Sequence, residues 1–207
     1  MVSSGEYEEL RGCRYASTYR LWTDGFGATR LRKPSSAGRN MVAIMNEALK
    51  LEIGQKILEV GAGSGWHACT IAEVIAPSDA SKDSWGHVYT VEIIEGLAKF
   101  AMENIEKAGY ADRITVICRD GSLGLAEKAP YDRILVTAAA PDIPKPLIEQ
   151  LKDGGILVIP VGSLHLFQTL YKVRKIGGKI FKENLGGVAF VPLTGRFGHR
   201  LYRENFE

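Results

Sequence analysis

Ile57-Leu58-Glu59-Val60-Gly61-Ala62-Gly63-Ser64-Gly65 decides how the rest of the chain reads. A short apolar run ends on three glycines at alternate positions. Helix-like sequence follows over 68–76 and is stopped by Pro77. Strand, glycine turn and helix in that order place a ligand loop at the carboxyl end of a strand in an open α/β sheet. Glycines there let the backbone turn sharply and let a ligand approach the main chain. A dinucleotide fingerprint would want glycine or alanine at position 66, where this chain has Trp66. A phosphate loop would want Gly-Lys-Ser/Thr, which does not follow. Glu59, two residues before the first glycine, does not belong to the dinucleotide pattern either.

Outward from this loop the chain alternates between two periodicities. Met41, Ile44, Met45, Ala48 and Leu49 predict a helix over 41–49. Leu97, Phe100, Ala101, Asn104, Ile105 and Ala108 predict another over 97–108, with Gly109 as its terminator. A third is expected over 144–151, with proline in its first turn. Short β-rich runs predict strands over 87–93, 114–118, 134–137 and 156–161, and 77–86 reads as an exposed loop. Runs over 168–175 and 179–191 flank Gly177-Gly178, which reads as an antiparallel hairpin. The expected fold is α/β: a doubly wound, mostly parallel sheet ending in an antiparallel hairpin.

Composition sets the outer limits. The 207 residues suffice for one domain with a full core, and 45% hydrophobic with 24% charged residues is an ordinary globular mixture. Lys+Arg 26 against Asp+Glu 24 gives a net charge of +2, too balanced to favour nucleic acid by charge alone. No apolar run approaches the roughly 18 residues needed to span a bilayer, so no membrane association is expected. The polar, acidic opening, Met1 to Leu10, does not read as a signal peptide. Cys13, Cys69 and Cys118 lie far apart without CxxC spacing, which predicts reduced thiols in a cytoplasmic protein and no metal site. His67, His87, His165 and His199 show no metal-ligand spacing and read as satisfied or exposed residues. Trp66 either covers the helix after the loop or walls the pocket, with packing the favoured reading.

A glycine loop above an acid, without a phosphate-binding lysine, suits S-adenosyl-L-methionine. That cofactor has an ammonium group, a ribose diol and a neutral adenine. Glu59 can favour the ammonium directly or through water. Glu92, ending the second strand, can accept from both ribose hydroxyls. Asp120, with Gly121 beside it after the third strand, can accept from the adenine amino group. The expected cofactor-binding residues are therefore Glu59, Gly61, Gly63, Gly65, Glu92, Asp120 and Gly121.

With these residues in view, the chain resembles class I methyltransferases, and more closely the protein-L-isoaspartate O-methyltransferase family. The likeness rests on the run from Ile57 to Gly65 and on Asp120-Gly121-Ser122-Leu123-Gly124. It continues through Ala129-Pro130-Tyr131-Asp132-Arg133-Ile134, Thr137-Ala138-Ala139-Ala140-Pro141, Ile143-Pro144 and Val158-Ile159-Pro160-Val161-Gly162. It ends with Val188-Ala189-Phe190-Val191-Pro192-Leu193-Thr194-Gly195. It covers residues 41–195. The resemblance implies a Rossmann-like fold and methyl transfer from S-adenosyl-L-methionine, leaving S-adenosyl-L-homocysteine. The implied acceptor is the carboxylate of L-isoaspartyl residues in damaged proteins, a repair reaction by a monomer. Residues 1–40 are expected to form a substrate-side segment and 41–207 the cofactor-binding part of the same compact domain. Gly25-Phe26-Gly27-Ala28-Thr29 resembles the family's glycine segment. Its usual short Ile-Ser-Ala-Pro-His loop is replaced by a longer, more basic run from Arg30 to Asn40, without the histidine.

Methyl transfer from a sulfonium needs alignment more than proton chemistry. A carboxylate acceptor is already ionised at neutral pH. It wants a hydroxyl that orients it, and the chain offers Thr29, Ser35, Ser36 and Thr137. By resemblance Ser36 ranks first and Thr29 second. The post-strand sequence Thr137-Ala138-Ala139-Ala140-Pro141 lacks the Asp/Asn-Pro-Pro-Tyr pattern of many amino-directed methyltransferases, which favours an oxygen acceptor. Two other readings keep the fold: methylation of RNA or a small metabolite, with Arg30, Arg32, Lys33 and Arg39 on anionic groups, or a catalytically silent cofactor-binding paralogue.

Overall fold

Ile57, Leu58 and Val60 are all buried, as are Ile134, Leu135 and Val136. Runs without alternation belong to strands covered on both faces, and these two lie side by side at the centre of the sheet. The computed structural model describes residues 36–163 and 167–199. In chain order they form α1 (Ser36–Leu49), β1 (Lys56–Val60), α2 (Trp66–Ile75), β2 (His87–Glu92), α3 (Glu95–Lys107), β3 (Ile114–Cys118), β4 (Tyr131–Val136), α4 (Lys145–Gln150), β5 (Leu151–Gly162), β6 (Gln168–Ile176) and β7 (Lys179–Val188). The seven strands are ordered β3-β2-β1-β4-β5-β6-β7. β1 to β5 pair in parallel, and β6 and β7 are antiparallel.

Two cores result. On one face α1, α2 and α3 bury Met45, Leu49, Ile71, Ile75 and Ile105 against Ile57, Leu135 and Val158. On the other, Leu147 of α4 and Leu125 pack on Leu58, Ile134 and Leu157. Tyr131 is fully buried there, and its hydroxyl donates to the Leu125 carbonyl at 2.6 Å. Each buried aliphatic side chain contributes roughly 1.5–3 kcal/mol. Gly177 and Gly178 have φ of 58° and 73°, the pair of positive values that a tight hairpin turn requires. The α/β expectation and the closing hairpin are both borne out.

Four details differ from the sequence reading. α1 begins at Ser36, so 36–40 is helix, and the division drawn at residue 40 falls inside it. Residues 30–35 of the expected basic loop lie outside the described residues. β5 starts five residues earlier than expected, because the chain bends at Gly154 (φ 79°) and resumes pairing after a register shift opposite β4. β7 ends at Val188, because the chain beyond it crosses to the end of β4. There Ala139 N donates to Val191 O, and Leu193 N donates to Ala139 O, both at 2.8 Å. Cys118 is disulfide-bonded, whereas Cys69 is a free thiol. The expectation of three reduced cysteines therefore fails at Cys118, since spacing along the chain does not report which thiols the fold brings together.

Candidate functional site

Strand order reverses between β1 and β4, and ligands of open α/β sheets sit outside the strand ends at such a switch point. A cleft of about 510 Å³ lies there, lined among others by Met41, Gly61, Gly63, His67, Thr137 and Phe190. A larger groove of about 710 Å³ runs between α2 and α3, past Cys69, Glu73 and Tyr110. It touches neither Gly61 nor Gly63, which both line the switch-point cleft. Trp66 borders both and is 37% exposed, so it stands in the wall, whereas covering the helix after the loop is the favoured expectation.

Each glycine of the loop has its own reason. At Gly61 (φ 100°) a β-carbon would collide with the Thr137 hydroxyl. At Gly65 (φ 78°) it would stand 2.9 Å from Ile105 Cγ1 and 3.0 Å from the Ala101 carbonyl, so this glycine lets α2 close on α3. At Gly63 (φ 54°) it would meet nothing within 4 Å. That open side is where a ligand can reach the main chain.

The three acids occupy three different situations. Glu92 closes β2; its Oε2 accepts from Gly63 N and its Oε1 from Ile94 N, both at 3.1 Å. Each oxygen retains a lone pair for a ribose hydroxyl. Burial raises its pKa, opposed by backbone hydrogen bonds led by Gly63. Asp120 lies two residues past β3 and is committed to the protein. Its Oδ1 accepts from Ser122 N (2.9 Å) and Ser122 Oγ (2.6 Å), and its Oδ2 from Arg196 N (2.7 Å). Gly121 sits against Val60 Cγ1, which a β-carbon would approach to 2.6 Å. Glu59 lies one residue inside the end of β1, fully buried, so a direct contact with a ligand in the cleft is closed to it. Thr90 Oγ1 donates to its Oε2 at 2.5 Å, and its Oε1 is without a partner.

Burial, with a smaller contribution from the Glu92 charge, pushes the Glu59 carboxyl up from 4.5 to about 8, against the Thr90 hydrogen bond. The folded chain therefore holds a proton here that the unfolded chain releases between those two values. Stability supplied by this proton is full below pH 4.5 and is lost as pH rises through about 8. Glu59→Gln is expected to gain melting temperature over the unsubstituted protein increasingly as pH is raised across that window. A pH-independent difference between the two melting curves would contradict the assignment.

Of the hydroxyls, Thr137 is spent on the loop itself, donating toward the carbonyls of Gly61 (2.8 Å) and Val60 (3.1 Å). Ser36 opens α1, the helix whose Met41, Val42 and Met45 line the cleft. Thr29 and Ser35 lie outside the described residues. Three positioning contacts have no local signature in sequence. Arg133 Nε donates to the Leu49 carbonyl at 2.5 Å, and Nη2 to the Lys50 carbonyl at 3.1 Å, fixing the end of α1 on β4. Asn46 Oδ1 meets His67 Nε2 at 2.9 Å, tying α1 to α2. The Gln168 amide pairs both ways with the Phe190 backbone at 2.6 and 3.0 Å, holding that residue at the cleft. Among the described residues no cluster of three or more metal-ligating side chains occurs.

The family model described as protein-L-isoaspartate(D-aspartate) O-methyltransferase matches residues 22–198. The chain belongs to that family. It is 58% identical over 163 residues to the protein-L-isoaspartate O-methyltransferase of Hyperthermus butylicus, covering 79% of this chain and 68% of that protein. A solved protein-L-isoaspartate O-methyltransferase superposes with a TM-score of 0.70 at 26% identity. It covers 78% of this chain, which spans 49% of that structure's length. The Plasmodium falciparum beta-aspartate methyltransferase, solved with S-adenosyl-L-homocysteine, gives 0.65 at 27% identity, covering 74% of this chain and 73% of that one. S-adenosyl-L-methionine is the cofactor of the family, and the residues present suit it. The cleft lies at the switch point, Gly63 leaves its approach open, and Glu92 offers two buried acceptor oxygens beside the loop.

Proposed function

We propose that the protein methylates the carboxylate of L-isoaspartyl residues in damaged proteins, using S-adenosyl-L-methionine. One observation carries the acceptor class. The described wall of the cleft offers no side chain suited to take a proton from the acceptor. Thr137 is turned onto backbone carbonyls, and burial pushes His67 down to about 4. Such a site suits an acceptor that arrives already deprotonated, and a carboxylate does. When bound, the cofactor supplies an electrophilic methyl group and a neutral thioether leaving group. The chain's part is alignment. Glu92 and the Gly63 backbone hold the cofactor side. Ser36, in the first turn of the α1 helix that Arg133 and Asn46 fix, is the proposed orienting hydroxyl, with Thr29 as the other candidate. Glu59 acts on the ammonium only at a distance in this reading, and Asp120 and Gly121 shape the adenine end.

Esterification makes the isoaspartyl carbonyl a better acyl donor, because methanol leaves where hydroxide would not. The next backbone nitrogen can then close a succinimide. No helix among the described residues is long and apolar enough to cross a membrane. In this reading the protein acts as a cytoplasmic monomer, and the net charge of +2 fits an acceptor other than nucleic acid.

The test is a labelled-methyl assay that offers an isoaspartyl peptide beside its aspartyl counterpart. Label is expected on the isoaspartyl peptide alone. A protein that binds S-adenosyl-L-homocysteine yet labels neither peptide would overturn the acceptor assignment. Calorimetry of Glu92→Ala is expected to show cofactor affinity weakened by about 1–3 kcal/mol, because ribose donors lose buried partners. Unchanged affinity would remove Glu92 from the site.

A further inference from the structure

His67 reads in sequence as a bystander, yet its surroundings fix where its proton lies. Thr70 Oγ1 donates its one hydrogen to the His67 carbonyl at 2.7 Å. It can therefore only accept from Asn46 Nδ2, which lies 3.1 Å away. That sets the orientation of the Asn46 amide and turns Oδ1 toward His67 Nε2, at 2.9 Å. Oδ1 has no hydrogen to give, so Nε2 must carry the proton. Burial holds the ring neutral at physiological pH. A neutral imidazole has one N–H, so Nδ1 bears a lone pair.

That lone pair has no partner among the described residues, and the ring lines the switch-point cleft. The other polar side chains of the described wall are held in local hydrogen bonds or can only donate. Ser64 Oγ accepts from Trp66 N, Thr137 is turned onto the loop carbonyls, and the Trp66 indole can only donate. No carboxylate lines the cleft, and Glu59 is sealed beneath it. Glu92 stands at the end of β2, on one side of β1; α1 and β4 stand on the other. A ligand that set its ribose at Glu92 and crossed the glycine loop would carry its amino-acid end to the side of β1 where His67 lines the cleft.

We infer that His67 Nδ1 is the side-chain acceptor for the cofactor's α-ammonium group, with Asn46 and Thr70 holding the ring in the required tautomer. The inference rests on the cofactor reading of the cleft. A lone pair attracts an ammonium and repels a carboxylate, so His67 also sets which way round the amino-acid end lies. Ordinary ribose and adenine recognition does not involve it.

Two ligands separate these contributions. S-adenosyl-L-homocysteine carries the ammonium; methylthioadenosine has the same nucleoside and thioether without the amino-acid end. Heteronuclear NMR of the full chain labelled at the histidine ring nitrogens is expected to show His67 protonated at Nε2. The Nδ1 resonance should move on adding S-adenosyl-L-homocysteine and stay in place with methylthioadenosine. In calorimetry His67→Leu is expected to lose about tenfold or more in affinity for the first ligand and little for the second. His67→Gln, which restores an acceptor, should recover part of the loss. A proton found on Nδ1, an Nδ1 resonance indifferent to bound S-adenosyl-L-homocysteine, or equal losses for both ligands would overturn the assignment of His67 alone. Failure of the unsubstituted protein to bind either ligand would overturn the cofactor reading and this inference with it. The NMR arm uses the unsubstituted protein, so it decides the matter even if His67→Leu does not fold.

Discussion

Gly63→Val is expected to abolish binding of S-adenosyl-L-homocysteine while leaving a folded protein. The position has a φ of 54° and open space on the side where a β-carbon would stand. A β-carbon there displaces nothing in the protein, and the backbone conformation costs about 2 kcal/mol for a β-branched residue. A domain of ordinary stability survives that loss. The added methyl groups occupy the space through which a ligand approaches the loop, so affinity should fall by a hundredfold or more, on the order of a blocked site. Gly61→Ala and Gly65→Ala should behave in the opposite way. The first drives a methyl group into the Thr137 hydroxyl, and the second presses one onto Ile105 and the Ala101 carbonyl. Both should lower stability by about 2–4 kcal/mol, and cofactor affinity should suffer only as far as the loop shifts. Calorimetry and thermal melts on the three variants separate ligand approach from packing. A Gly63→Val protein that melts normally and still binds would place the ligand elsewhere.

Much of this arrangement is legible in the sequence because it rests on local pattern. Unbroken apolar runs mark β1 and β4, helical spacing marks α3, and Gly177-Gly178 marks the hairpin. The glycine turn after β1 and the place of Glu92 at the end of β2 are legible as well. What escapes the sequence is long-range side-chain pairing. Asn46 to His67 spans 21 positions, Gln168 to Phe190 spans 22, and Arg133 to Leu49 spans 84. Each uses an amide, imidazole or guanidinium group that an exposed surface would display equally well, so no periodicity betrays it. The first turn of α1 escapes for a different reason. Gly38 and Asn40 are weak helix formers, and their helical state follows from the body of α1, whose Met45 and Leu49 are buried in the core. Glu59 and Asp120 show the complementary failure. Their position beside strand ends is right to within two residues, yet only the fold shows that one is sealed in the core and the other is bound to the protein's own backbone.

Asp120→Ala is expected to release the segment from Leu193 to His199 and not merely to weaken adenine binding. In the folded chain this carboxylate joins two stretches far apart in sequence, accepting from Ser122 on its own turn and from Arg196 N, 76 positions away. Ser122 Oγ in turn accepts from Phe197 N at 3.0 Å, so the hydroxyl extends the same link by one residue. Gly195 (φ 116°) lies so close that any β-carbon there would strike the carboxylate. Removing Asp120 leaves a buried amide at Ser122 and a partly buried one at Arg196 without acceptors. Hydrogen bonds to a charged group are worth about 1.5–3 kcal/mol each, so the link should weaken by about 3 kcal/mol or more. The consequence reaches the cleft through the chain itself, because Leu193 is tied to Ala139 and Phe190 borders the cleft. Hydrogen exchange should show the amides of Arg196 and Phe197 losing protection in Asp120→Ala. Gly195→Ala should produce the same pattern with Asp120 intact. The acceptor peptide's KM should rise in both variants, since the wall of its cleft is loosened. If those amides stay protected while only cofactor affinity falls, Asp120 serves the adenine and the link to Arg196 is incidental.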